Sequence, residues 1–187
     1  MTVTTLDPKT ALIVVDLQQG IVAFPFVHSI GDVVKKSCSL IDAFHRHGLP
    51  VVLVNVAGAA PGRTESPRRS ESLPAGWTDL IPEIDSRPDD ILVTKRTWGA
   101  FASTDLEARL KAHGVTQVVI VGVATGTGVE STARQAYEAG FNVTLARDAM
   151  TDARPEAHDY SLASVFPRLG EIGTAQDIID LLDQRSA

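Results

Sequence analysis

The chain has a single cysteine, no apolar run near the length of a membrane span, and no dense cluster of basic residues. Each absence removes a class of function. Cys38 cannot close an intrachain disulfide, and it shares helical spacing with Val34, Ile41 and Phe44, which predicts a buried core thiol and not a nucleophile. No stretch approaches the roughly 20 apolar residues that cross a bilayer, so a soluble protein without a membrane partner is expected. The amino-terminal residues MTVTTLDPKTALIVVD lack the basic start, apolar run and small-residue cleavage site of a secretory leader; a cytoplasmic location is the expectation. A net charge of −6 with scattered Lys and Arg argues against a nucleic-acid groove, which needs clustered cations for phosphate. The densest basic patch, RTESPRR at 63–69, reads as a solvated loop or as a lid over a carboxylate substrate.

What is present is a globular composition, 44% hydrophobic and 21% charged, over 187 residues, enough for one domain at 1–187 with a substantial core. Short runs rich in Val and Ile recur along the chain: ALIVVDL (11–17), PVVLVNV (50–56), DILVTK (90–95), QVVIVGV (117–123) and NVTLARD (142–148). Bounded by Gly, Pro or Asp, they read as buried strands. Helical spacing appears at about 30–47, 103–113 and 128–139, with Ser103 ahead of Asp105 and Glu107 as a cap signal. Gly48, Gly114 and Gly140 follow these helices where a left-handed residue is wanted. Further helices are expected near 155–166 and 174–184, with a short sixth strand at LGEIG. The alternation of strand and helix predicts an α/β fold, a three-layer Rossmann-like sandwich around a central parallel sheet. Residues 57–89, rich in Gly, Pro, Ser and Arg, break the rhythm, and so long an irregular segment in a compact domain is functional or mobile.

Ligands of open parallel sheets bind beyond the carboxyl ends of the strands. Asp16 ends the first strand in VVDLQQG, Lys95 ends the third in VTKRTWGAF, and Gly128 follows the fourth at the head of a helix. An Asp and a Lys at neighbouring strand tips face one another across a pocket or form a structural ion pair; position alone admits both. The turn ATGTG is either a cradle of backbone N–H groups for an anion or oxyanion, or a tight connection that needs Gly for its backbone alone. Its glycine spacing and its place after the fourth strand are not those of a dinucleotide fingerprint. Phe24 and Trp98, near the strand tips, are candidates to line a pocket, and Ala124 and Thr125 of the turn complete the expected substrate-binding set. His28 reads as a surface residue.

VVDLQQG, TKRTWGAF, VIVGVATGTGVESTARQAYEAGFNVTLARDAMTD and FPRLGEIGTAQDII, in this order and spacing, resemble the isochorismatase-like, or cysteine hydrolase, superfamily along nearly the whole chain. The resemblance implies a parallel sheet flanked by helices and a site of Asp, Lys and Cys, here Asp16, Lys95 and the Gly128 position. It also implies a non-proline cis peptide near Val123 and Ala124, and assembly as a homodimer or homotetramer. With Gly at position 128, the acyl-enzyme route of the family's amidases lacks its sulfur. Thr127 and Ser131 do not stand in the required register, and no histidine neighbours them in sequence as a base. The Asp-x-His cluster of metal-dependent nicotinamidases is replaced by NVAGAAPGR, so no metal and no other cofactor is expected.

Gly at this position also resembles the true isochorismatases, which cleave a vinyl ether without a nucleophile. Their turn tyrosine and their glutamine after the second strand align with Ala124 and Val56, so the pocket differs in detail. The resemblance thus implies a hydrolase of a small molecule, with Asp16 as general acid or base and Lys95 as its electrostatic partner. The other reading is a ligand-binding relative that lost its chemistry with the cysteine.

Overall fold

Every residue of β1 (Thr10–Val15) is buried, as a strand covered on both faces requires. Its side chains alternate: Ala11, Ile13 and Val15 enter one apolar cluster, Leu12 and Val14 another. The protein, described here from a computed structural model over residues 3–65 and 73–185, continues through α1 (Gln19–Val22), α2 (Ile30–Arg46), β2 (Val51–Val56) and β3 (Ile91–Lys95). Then come α3 (Leu106–Ala112), β4 (Gln117–Val123), a π-helical turn (Thr125–Val129) and α4 (Glu130–Glu138). The chain closes with β5 (Asn142–Thr151), α5 (Pro155–Tyr160), β6 (Glu171–Gly173) and α6 (Ala175–Gln184). No described helix is long and apolar enough to cross a membrane.

The six strands form one parallel sheet in the order β3-β2-β1-β4-β5-β6. Helices α2 and α6 cover one face through Leu40, Ile41, Phe44, Ile178 and Leu182; α3 and α4 cover the other through Leu106, Leu110, Ala133 and Ala136. This is the three-layer arrangement expected from the sequence. The chain runs outward from β1 to β3 and returns to β4 on the other side of β1. The carboxyl ends of β1 and β4 therefore flank the point where strand order reverses, the usual crevice for a ligand.

Local details differ from expectation in three places. The cap of α3 is not Ser103: the Leu106 N–H donates to Thr104 Oγ1 at 3.2 Å, while the Ser103 hydroxyl accepts from the Arg96 N–H at 3.3 Å. Cys38 is half-buried, not fully enclosed; its Sγ donates to the Glu83 carbonyl, and burial pushes the thiol pKa up. Strand β5 runs three residues beyond the expected 148, to Thr151, because its pairing with β4 shifts register between Ile120 and Gly122. Gly48, Gly114 and Gly140 take φ of 61, 70 and 86°, as their places after helices require.

Of the irregular segment, the part from residue 73 is not free. The Gln19 and Gly20 N–H groups donate to the carbonyls of Asp79 and Trp77 at 2.9 and 3.0 Å, and the Ile81 N–H donates to Leu17 at 3.2 Å. Residues 77–81 are thus strapped to the loop that follows β1. The RTESPRR patch lies outside the described residues from 66 onward, and Arg63–Glu65 are exposed.

Candidate active site

Asp16 leaves β1 with φ of 53°, a left-handed conformation that costs a non-glycine residue about 1–2 kcal/mol but that Asp tolerates better than most. The Asp16 N–H stays in the sheet, donating to Val54 at 2.9 Å. Lys95 ends β3, two strands away, so β2 lies between the two tips and the long lysine side chain spans it. Lys95 Nζ donates to Asp16 Oδ2 at 2.7 Å and to the Thr97 carbonyl at 3.3 Å. Both side chains are withdrawn from water, at 8% exposure for Asp16 and 2% for Lys95. Asp16 Oδ1 has no hydrogen-bond partner. Burial lifts the carboxyl pKa from 3.8 to about 6, against the opposing pull of Lys95.

That shift has a fixed sign for stability. The native state holds this proton more tightly than the unfolded chain, so the contribution is present below pH 3.8 and is lost as pH rises through about 6. A buried carboxyl with one oxygen unsatisfied destabilises the fold when ionised.

Gly128 closes the third side. A Cβ built there would lie 3.3 Å from Asp16 Oδ2, and 3.1 Å from both the Val123 carbonyl oxygen and Val15 Cγ1. The structure therefore brings Asp16, Lys95 and Gly128 together at the switch point. The peptide between Val123 and Ala124 is cis, at the place the resemblance implied. Several amides of the turn are already engaged: Thr127 and Val129 N–H groups donate to the Ala124 carbonyl at 3.1 Å. The Gly126 N–H donates to Asp152 Oδ2 at 2.8 Å, so the protein supplies its own anion there.

The remaining expected residues are more dispersed. Ala124 is half-buried beside the site, whereas Thr125 is fully buried with its hydroxyl 2.8 Å from His158 Nδ1. Trp98 and Phe24 are 66% and 43% exposed. His28 is exposed as expected, but it has a partner: its ring packs against His158 at 4.7 Å between centroids, tilted by 55°. Surface grooves of about 570 and 210 Å³ lie elsewhere, the first lined by Arg147, Leu162 and Ile172 and the second by Tyr137, Tyr160 and Arg168. Neither includes Asp16 or Lys95; among the described residues, an unsatisfied buried carboxyl oxygen and a cation meet only at this pair. Among the described residues no group of three or more His, Cys, Asp or Glu is placed to hold a metal.

Three residues escaped sequence reasoning. Gln18 is fully buried and clamps the loops: its Nε2 donates to the carbonyls of Val56 and Trp77, each at 3.1 Å, and its Oε1 accepts from the Val56 N–H at 2.6 Å. Nothing in QQ separates it from Gln19. Asp152 is the residue after β5 and meets the strand-tip rule, but the register shift hides where that strand ends. His158 carries no local signal, since its partner Thr125 is 33 residues away.

Residues 10–177 match the model of the isochorismatase domain. The chain belongs to the isochorismatase family. It is 38% identical over 179 residues to an uncharacterised isochorismatase family protein of Bacillus subtilis, YwoC, covering 92% of this chain and 93% of that protein. It is 30% identical to nicotinamidase 3 of Arabidopsis thaliana, covering 85% of this chain and 83% of that protein. The structure of an isochorismatase family protein from Burkholderia thailandensis superposes with a TM-score of 0.91 at 41% identity, covering 96% of this chain and 98% of that one. Within this isochorismatase-family fold, the Asp16–Lys95 pair occupies the crevice that the sheet topology creates.

Proposed function

We propose that this isochorismatase-family hydrolase acts on a small molecule without a thiol nucleophile, with Asp16 delivering a proton from Oδ1 and Lys95 holding Oδ2. Gly128 is the counterpart of the family's nucleophilic cysteine, and the substrate class is a carboxylated vinyl ether. The observation that carries the reading is the state of the Asp16 carboxyl: buried, raised to about 6, with Oδ2 bonded at 2.7 Å and Oδ1 unpartnered. The proton of the neutral acid then belongs on Oδ1, the carboxyl oxygen that no described protein group bonds. Transfer to the terminal vinyl carbon leaves an oxocarbenium ion; water adds to it, returns its proton to Asp16, and the hemiketal parts into an alcohol and a carbonyl compound. The carboxylate formed in the first step is stabilised by the Lys95 ammonium already in contact with it.

Amide hydrolysis, the activity in the name of the Arabidopsis relative, lacks its acyl-enzyme route here, because Gly128 provides no nucleophile. A turnover screen of carboxylated vinyl ethers, amides and imides, run beside a thermal-shift screen of the same compounds, tests the proposal. Turnover of a vinyl ether is expected. Turnover confined to amides or imides would make Asp16 a base that activates water, and binding without turnover would identify a ligand-binding relative.

A further inference from the structure

The turn that faces Asp16 has a second polar cluster behind it, which the proton transfer does not use. Fully buried Thr125 pairs through its hydroxyl with His158 Nδ1 at 2.8 Å, and His158, on α5, is itself 5% exposed. Helix α5 is seated directly on the turn: a Cβ built on Gly126 would lie 3.0 Å from Ala157 Cβ. The His28 ring packs on His158, and the His28 N–H and Nδ1 approach Thr151 Oγ1 at 3.2 and 3.1 Å. Asp152 completes the connection, its carboxylate accepting from the Gly126 N–H and its carbonyl accepting from the Val27 N–H at 2.9 Å. The loop before α2, the tip of β5, α5 and the site's turn are thus one bonded unit.

We propose that His158 is a positioning residue of the Asp16 site, holding the 124–128 turn in register through the Thr125 hydroxyl for as long as its imidazole is neutral. The inference rests on the proton-transfer reading above. In the neutral ring with hydrogen on Nε2, Nδ1 accepts the Thr125 O–H; protonation turns Nδ1 into a donor and forces that hydroxyl to reverse. The groups facing the ring are His28 from the loop before α2, Asp152 after β5, and Asp159 on its own helix. Burial first and His28 second keep the His158 pKa below its ordinary value, outweighing Asp159 and Asp152. The site is therefore assembled at neutral pH and loosens in acid, and it loosens from behind, without any change at Asp16 itself.

Nitrogen-15 NMR of the imidazoles in the whole chain tests this without reference to any substrate. His158 is expected neutral at pH 7.5, as the Nε2–H tautomer, and Thr125→Val should remove the tautomer preference in a chain that still folds. A charged ring at that pH, or the Nδ1–H tautomer, overturns the proposal, and does so whether or not a substrate is turned over. With a substrate in hand, His158→Ala should lower kcat about 10- to 100-fold with a smaller effect on KM, as a displaced catalytic geometry does. His158→Asn, whose Oδ1 stands in for Nδ1 as an acceptor but does not titrate, should restore kcat and lose the acid limb of the wild-type profile. Persistence of that limb in His158→Asn, or an unchanged kcat in a folded His158→Ala, would show that His158 does not position the site. Failure of the wild type to turn over vinyl ethers bears on the proton-transfer reading alone.

Discussion

Asp16→Asn should lower turnover roughly 10²- to 10⁴-fold, the contribution of a positioned acid or base. The substitution keeps the shape of the side chain and an oxygen for Lys95 to bond, so the 2.7 Å contact survives while the transferable proton is gone. Circular dichroism and thermal melting confirm that the variant is folded before its kinetics are read. Lys95→Ala should differ in kind. It removes the one cation that opposes burial at Asp16, so the carboxyl pKa should rise further above about 6, and binding of an anionic substrate should weaken together with turnover. Wild-type turnover by Asp16→Asn would place the proton transfer on another residue.

Gly122→Val should be the most destabilising single change near the site, by more than about 3 kcal/mol. Gly122 sits at φ of 111°, where side chains are strained, and a Cβ there would fall 2.1 Å from the Val15 carbonyl oxygen. The obstacle is backbone in the middle of the sheet, so no side chain can rotate out of the way; β1 and β4 must separate. These are the strands that deliver Asp16 and the 124–128 turn, so loss of stability and loss of the site go together. Chemical denaturation of Gly122→Val against the wild type measures the effect. A change below 1 kcal/mol would mean that the β1–β4 junction is more yielding than its geometry indicates.

The fold was legible because its signals are local and repeated. VVIVGV and VVLV are apolar throughout, which a strand covered on both faces tolerates, and glycines punctuate the helices between them. The pairing of Asp16 with Lys95 and Gly128 was legible from one topological rule, that parallel strands present their carboxyl ends to a common crevice. Their separation by β2 was not, since strand order is not written in any one run. The cluster behind the turn stayed hidden for a related reason. Thr125 and His158 meet only because α5 folds back across the turn, and Asp152 reaches Gly126 only because β5 carries extra residues at its register shift.

The pH dependence of kcat/KM on a turned-over substrate tests the proton-donor role of Asp16 most directly. The carboxyl is raised to about 6, and an acid is competent only while protonated, so the rate should decline as pH rises through that value. The same limb should move to higher pH in Lys95→Ala. A rate that climbs through about 6 would make Asp16 a base, and a profile flat from pH 5 to 8 would remove it from the chemistry.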